Sequence, residues 1–363
     1  MRGTAQFLAY LGVWLYWLTF PAAVLADDQI KILEEEQHDA GWELYLDNDA
    51  FSLLPLDQDY TGGLAVTLYG KRAIHFPARL EHLRDKIDQW TGSEKRYQSK
   101  KVFTLHSIGF GYSAFTPKDV ATSAPVYDDR PYASLVFIAN TQQAVVREEN
   151  KVFQSTLMVG ALGLGVAEAL QNTVHSALGQ GTANGWYNQI SSGGELTFRY
   201  TLARQTTPVK HYSGKGLDYE FKTARDVSIG YQTDVSVGIS TRFGRIRSPW
   251  WSFNPQQFDF INMGIPTNRF GSGKNVNEFF FWGGMSLRYR FYTALLQGQF
   301  RDSAVTFSAS ELNPLILEGW GGFTKRFDSG NSLSFVLRAR TSELKIGEQR
   351  DPLWAGIIFG HSL

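Results

Sequence analysis

The sequence predicts an all-β fold, a transmembrane antiparallel β-barrel of about twelve strands of the outer-membrane type. Three observations predict it. Apolar residues recur at every second position in "VFQSTLMVGALGLG", "DVSVGISTRFG", "FFFWGGMSLRYRF" and "SLSFVLRARTS", with polar, glycine or small residues between them. That is the signature of strands with lipid on one side and a polar lumen on the other. After residue 26 no apolar run approaches the roughly 20 residues a membrane helix needs. The strand candidates are even in number and several are long, whereas a soluble β-sandwich, the competing reading, prefers shorter strands and more turns.

The elements follow in order. Met1-Arg2 gives a positive start, Phe7 to Phe20 is an apolar run, and Val24 and Ala26 form a small-residue cleavage site. Residues 1–26 therefore read as a secretory signal peptide. Residues 27–41 are a lead and 42–363 the barrel domain. Strand candidates are 42–50, 60–70, 101–113, 131–147, 151–167, 189–205, 218–231, 234–245, 277–297, 313–327, 332–344 and 353–362. Trp282, Trp320, Tyr289, Tyr292, Phe291 and Phe327 are candidates for interfacial girdles. "REEN" (147–150) and "DSGN" (328–331) fit short turns, while 71–100, 206–217 and 246–276 are long connections on one side. The first contains "FPARLEHLRDKIDQW", with Leu80, Leu83, Ile87 and Trp90 near helical spacing; it reads as a helix that plugs or caps the periplasmic rim. Arg199, Arg288, Arg290 and Arg338 point inward and are expected to form salt bridges in a narrow lumen. Insertion calls on the barrel-assembly machinery. The chain ends "FGHSL", so Trp354 and Phe359 stand in for the aromatic assembly residue with which barrels commonly end.

Composition removes several chemistries. Cysteine is absent, so there is no disulfide frame, thiolate metal site or thiol nucleophile. Acidic and basic residues balance at 35 each, so no strong field attracts nucleic acid.

Strand parity then gathers polar residues at one rim. The first strand ends at Asp47-Asn48-Asp49, the second descends from Asp59-Tyr60-Thr61, and the fourth from Asp128-Asp129-Arg130. The fifth rises to Glu168, the loop after it carries His175, and the sixth begins at Gly185-Trp186-Tyr187-Asn188-Gln189. Oxygen-rich clusters without cysteine suit a hard cation such as calcium. Asn48 and Asp49 are adjacent, so they face opposite sides of an ideal strand; one can bind directly while the other acts through a bulge or the backbone. A cation there would polarise a carbonyl, and a histidine is suited to take a proton from water near neutral pH. Together with a wall facing lipid, these features point to ester hydrolysis at the membrane. Each residue also has a structural use: Asx turns for Asp47, Asn48 and Asp49, a strand bend for Thr61 beside Gly62-Gly63, a loop hydrogen bond for His175, an ion pair for Asp129-Arg130 and an interfacial anchor for Trp186.

The motifs "DNDAF", "DQDYTGG", "YSAFTPKD…DDRPYASL" and "VHSALGQGTANGWYNQI", followed by "YTALLQGQFRDSAVTFS" and "RARTSEL", resemble in order those of the outer-membrane lipid A deacylase (LpxR) family. The resemblance covers almost the whole mature chain. It implies a twelve-stranded barrel among outer-membrane lipids. It implies calcium-dependent removal of the 3′-linked acyloxyacyl group of lipid A, the acylated part of lipopolysaccharide, in the outer leaflet. Carried over by motif, His175 is the general base, and Asn48, Asp49 and Thr61 form the calcium and carbonyl-polarising site. Lys118, Asp129, Arg130, Trp186 and Gln189 are the substrate-binding candidates. Two stretches depart from the family's pattern. Gln180-Gly181 stands where an acidic residue follows the histidine, and "TPKDVATSAP" offers only Lys118 for lipid phosphates.

Two other readings stay open. An outer-membrane phospholipase would use a serine nucleophile, with Ser52, Ser134, Ser176 and Ser191 available at the rim, none in a clear nucleophile motif. A non-catalytic narrow barrel or pore would need neither calcium nor His175.

Overall fold

The computed structural model describes residues 36–49, 60–74, 79–97, 101–179, 181–212, 217–254 and 277–363. Its strands are β1 (Gly41–Asn48), β2 (Gly62–Tyr69), β3 (Phe103–Phe115), β4 (Ala133–Val146), β5 (Lys151–Leu162), β6 (Glu195–His211), β7 (Asp218–Gly230), β8 (Gln232–Arg245), β9 (Glu278–Thr293), β10 (Leu315–Arg326), β11 (Asn331–Arg340) and β12 (Leu353–Ser362). Each pairs with its sequence neighbours and β12 closes on β1. Closure leaves no sheet edge, which is what a membrane-spanning sheet requires.

The period of two sorts side chains to the two faces of the wall. Phe198, Ile229, Val237, Phe281, Leu287 and Phe359 are exposed on the outside. The alternate positions fill the lumen: Tyr45, Phe115, Phe137, Trp282, Trp320 and Trp354 belong to one buried cluster. Charges inside the lumen are paired, as burial demands. Asp234 takes Arg199 at 3.3 Å and Arg288 at 2.7 Å, Glu318 takes Arg338 at 3.1 Å and Arg340 at 2.6 Å, and Arg290 meets Glu343. The inward arginines expected from sequence thus find carboxylates.

The structure corrects several expectations. Trp282 and Trp320 lie inside the barrel, not in a girdle, while Tyr289, Phe291 and Phe327 are exposed outside. Tyr292 packs partly buried against the inner cluster. Trp354 also faces inward, against Tyr60, which leaves Phe359 as the outward aromatic near the end of the chain. The sixth strand starts at Glu195 and extends to His211, absorbing part of what read as a long connection. The fifth ends at Leu162, and a helix follows it.

The predicted helix of the first long connection is present as α1 (Leu80–Thr91), but it neither plugs nor caps. Its buried stripe is Leu80, Arg84 and Asp88, and it packs on the outer face of β4–β6 through Leu157 and Tyr200. The apolar spacing misled because Leu83 and Trp90 are exposed while a charged pair is buried. At the same end, Trp250 and Trp251 pack against Phe103, Leu105, Val145 and Val152 in a second buried cluster.

Candidate active site

At the end of the barrel opposite α1, the β1–β2 hairpin splits its oxygens between the two faces of the wall. Asp47 turns inward, where its carboxylate accepts a hydrogen bond from the Tyr60 hydroxyl at 2.6 Å. Asn48, one residue on, faces outward and donates through its amide nitrogen to the Thr61 carbonyl. Asp49 is buried. Asp57 and Asp59 lie outside the described residues. Gly62 makes the geometry possible. Its φ is 148°, a region favouring glycine, and a Cβ would stand 2.9 Å from the Asp47 carbonyl oxygen and 3.1 Å from the Asn48 amide nitrogen. The Thr61 hydroxyl lies 2.8 Å from that of Thr116, and the Thr61 amide donates to Ala114 on β3.

Ala114 leads to the second half of the site. It lies on the outer face of β3, because its neighbour Phe115 belongs to the lumen cluster. Against it packs Ala167 of α2 (Val166–Leu178), together with Tyr132, Ala183 and Trp186. The residues 163–194 therefore do not form a plain loop. They fold a helix back onto the outside of the wall, bounded by Gly165 and by Gly179 at φ 68° as the left-handed cap. Ala167, Gln171 and His175 are buried and fall at i, i+4 and i+8, so one stripe faces the wall. Glu168, in the first turn, is exposed.

His175 is held in one orientation. Its Nδ1 lies 2.6 Å from the carbonyl oxygen of Gly181. A carbonyl only accepts, so Nδ1 carries the proton and Nε2 carries the lone pair of the neutral ring. Trp186 and Gln189 brace this arrangement. The Trp186 indole is fully buried, donates to Gln171 at 2.7 Å and packs tilted against Tyr132 at 4.9 Å between centroids; it is no interfacial anchor. Gln189 accepts from the Ser134 hydroxyl at 2.8 Å.

The remaining residues predicted from sequence fall in different settings. Lys118 is exposed, its amide donating to Asp129 at 2.8 Å. The Arg130 amide donates to the Asp129 carboxylate at 2.6 Å. Asp129 takes Arg350, and Arg130 takes Glu343 at 2.6 Å while lying 4.3 Å over the Phe115 ring. They tie the 116–132 loop to the 341–352 loop. Among the serines, Ser134 is committed to Gln189 and Ser191 to Glu195. Ser176 is exposed beside His175, and Ser52 lies outside the described residues.

Thr116, Gln171 and the Gly181 carbonyl were missed from sequence. Gln171 was within reach: Gly165 and Gly179 bracket a helical stretch, and Gln171 sits one turn before the histidine. The Gly181 carbonyl carries no side-chain signal.

The oxygen-only donors Asn48, Asp49 and Thr61 suit a hard cation and not a zinc ion, which prefers nitrogen and sulfur. Among the described residues, no group of three or more His, Asp or Glu side chains gathers at a metal site. A cation here would rest on a mixed set of amide, carboxylate, hydroxyl and backbone oxygens, which calcium tolerates.

A family model described as outer membrane protein LpxR matches residues 11–362. The barrel is similar to LpxR from Salmonella typhimurium, with a TM-score of 0.68 at 14% sequence identity over 89% of this chain and 100% of that one; at that identity the likeness shows the fold. The β-domain of the Bordetella autotransporter BrkA also matches, with a TM-score of 0.41 at 10% identity over 90% of this chain and 100% of that one. No curated protein sequence matches the chain.

Proposed function

Because the chain belongs to the LpxR family of outer-membrane proteins, we propose that it is an ester hydrolase that removes the 3′-linked acyloxyacyl group of lipid A, working at the outer-leaflet rim. One observation carries this reading. His175 is buried on the wall-facing stripe of α2, with Nδ1 fixed by Gly181, on the flank of the barrel where the Asn48–Thr61–Thr116 cluster meets Ala114.

In the proposed mechanism Nε2 takes a proton from a water, whose oxygen attacks the ester carbonyl from the gap between helix and wall. The Gly181 carbonyl faces the Nδ1–H and keeps the ring aligned as positive charge develops on it. The proton then passes from Nε2 to the departing sugar oxygen, releasing the acyloxyacyl group as its carboxylic acid and leaving a free sugar hydroxyl. No acyl-enzyme forms. Asn48, Asp49 and Thr61 would hold a calcium ion, which would supply positive charge for the developing oxyanion. Lys118, exposed in the adjoining loop, would offer its ammonium to a lipid phosphate. Trp186 and Gln189 act by holding α2 and its following loop in place.

The test is mass spectrometry of lipid A from cells producing the protein or its His175→Ala variant, with insertion verified for both. The expected result is loss of one acyloxyacyl unit with the native chain, none with the variant, and suppression by calcium chelation. Unchanged lipid A in the presence of inserted native protein would overturn the assignment.

A further inference from the structure

The outer wall is apolar round much of its circumference, but one flank breaks that rule. Arg204 on β6 and Arg225 on β7 stand directly opposite one another in the ladder. Both face outward, since the following residues, Gln205 and Asp226, are buried inside. Like charges so placed repel. Arg96, from the connection that carries α1, adds a third positive charge near Arg204; the opposing charge nearby is Glu149, which is ion-paired to Lys151 at 2.5 Å. The Arg204 Nε is buried without a hydrogen-bond partner among the described residues.

The same two arginines border a furrow of about 710 Å³ on the outside of the wall, lined further on by Val237, Ile239, Met285, Leu287 and Leu317. It runs across β6–β10, away from the Asn48–His175 flank. A cluster of guanidiniums joined to an apolar trough matches a phosphodiester joined to an acyl chain. Because the barrel sits in the outer membrane, lipid is what lies against this face.

We propose that the furrow holds one glycerophospholipid, its phosphate among Arg204, Arg225 and Arg96 and one acyl chain along Val237, Ile239 and Leu287. The ligand is a resident lipid, not the substrate, and the inference rests on the membrane location alone.

The experiment is native mass spectrometry of the full-length protein in nonionic detergent with added dioleoyl phosphatidylglycerol, folding being checked by heat-modifiable gel mobility. One lipid is expected to remain bound to the native chain. Arg204→Gln/Arg225→Gln is expected to retain about tenfold less. Ile239→Trp, which fills the trough and keeps the arginines, is expected to lower retention as well. Deacylation of lipid A is expected to be unchanged in both. Equal retention by native and arginine-substituted proteins would overturn the proposal. So would displacement by inorganic phosphate at concentrations equal to the lipid's, which would reduce the site to a simple anion site.

Discussion

Two helices lie on the outside of the barrel, at opposite ends, and each buries an i, i+4, i+8 stripe against the wall. On α1 the stripe is Leu80, Arg84 and Asp88; on α2 it is Ala167, Gln171 and His175. The wall under α1 is polar to match. Arg84 donates to Asn140, Gln142 and Ser155, each at 2.8 Å, and pairs with Asp88 at 2.8 Å. Asp88 accepts in turn from Ser155 at 2.7 Å and from the Tyr200 hydroxyl. Every strong charge there meets its complement inside the protein. The α2 stripe holds no carboxylate or guanidinium, and its imidazole Nδ1 faces a backbone carbonyl. A buried charge answered on all sides fastens a helix to a wall. In the proposed mechanism a buried imidazole oriented through Nδ1 would instead exchange a proton at Nε2.

The largest effect expected from this contrast is on α2. His175→Gln should lower lipid A deacylation by roughly 10²–10⁴, the usual contribution of a general base, while the barrel's resistance to thermal unfolding stays the same. Substantial activity in the folded variant would break the comparison. On α1 the prediction is reversed. Arg84→Met strands Asp88 and should cost about 3–5 kcal/mol, read as a lower unfolding temperature on heat-modifiable gels, with activity per folded molecule unchanged. Arg84→Met/Asp88→Leu should recover most of that loss. Selective loss of activity with native stability would show that α1 takes part in the chemistry.

A third test asks whether Arg130 belongs with the fasteners. Burial opposes the charge of Glu343, but Arg130, Arg290 and Arg340 outweigh it and hold the carboxyl down to about 2. A depressed carboxylate stabilises the fold above its unfolded value of about 4.3. That stabilisation is lost as pH falls from there through about 2. The contribution is on the order of 3 kcal/mol. Acid titration of the unfolding temperature should show this loss in the native chain and a flatter profile in Glu343→Gln. KM for lipid A should hardly move in that variant if Arg130 is a clamp between loops; a large rise in KM would place Arg130 at the substrate.

How much of this could be read beforehand divides along the same line. Twelve alternating stretches gave the barrel, and parity placed Asn48, Thr61 and His175 at one end, because a period of two needs no tertiary knowledge. The lumen arginines were legible for the same reason. What failed depended on which face a helix buries. "LEHLRDKIDQW" offers an apolar stripe through Leu83 and Trp90, yet the polar wall residues Asn140 and Ser155, far away in sequence, select Arg84 and Asp88. In sequence the α2 segment reads as strand and loop because "VGALGLG" runs straight into "VAEAL" with no side-chain cap to mark the change.

The smallest predicted effect tests the contrast most directly, because it touches neither a charge nor the histidine. Gln171, one turn before His175 on the α2 stripe, accepts the Trp186 indole hydrogen at 2.7 Å and so ties the stripe to the following loop. Gln171→Leu leaves that donor buried without an acceptor and should cost about 1 kcal/mol of stability. If the stripe exists to hold the ring, kcat should fall severalfold with little change in KM, because water activation and not lipid capture depends on the angle of the ring. Gln171→Glu restores an acceptor at the same reach and should recover most of kcat. A variant that loses stability but keeps native kcat would mean that α2, like α1, is fastened only for strength, and that His175 is positioned without Gln171.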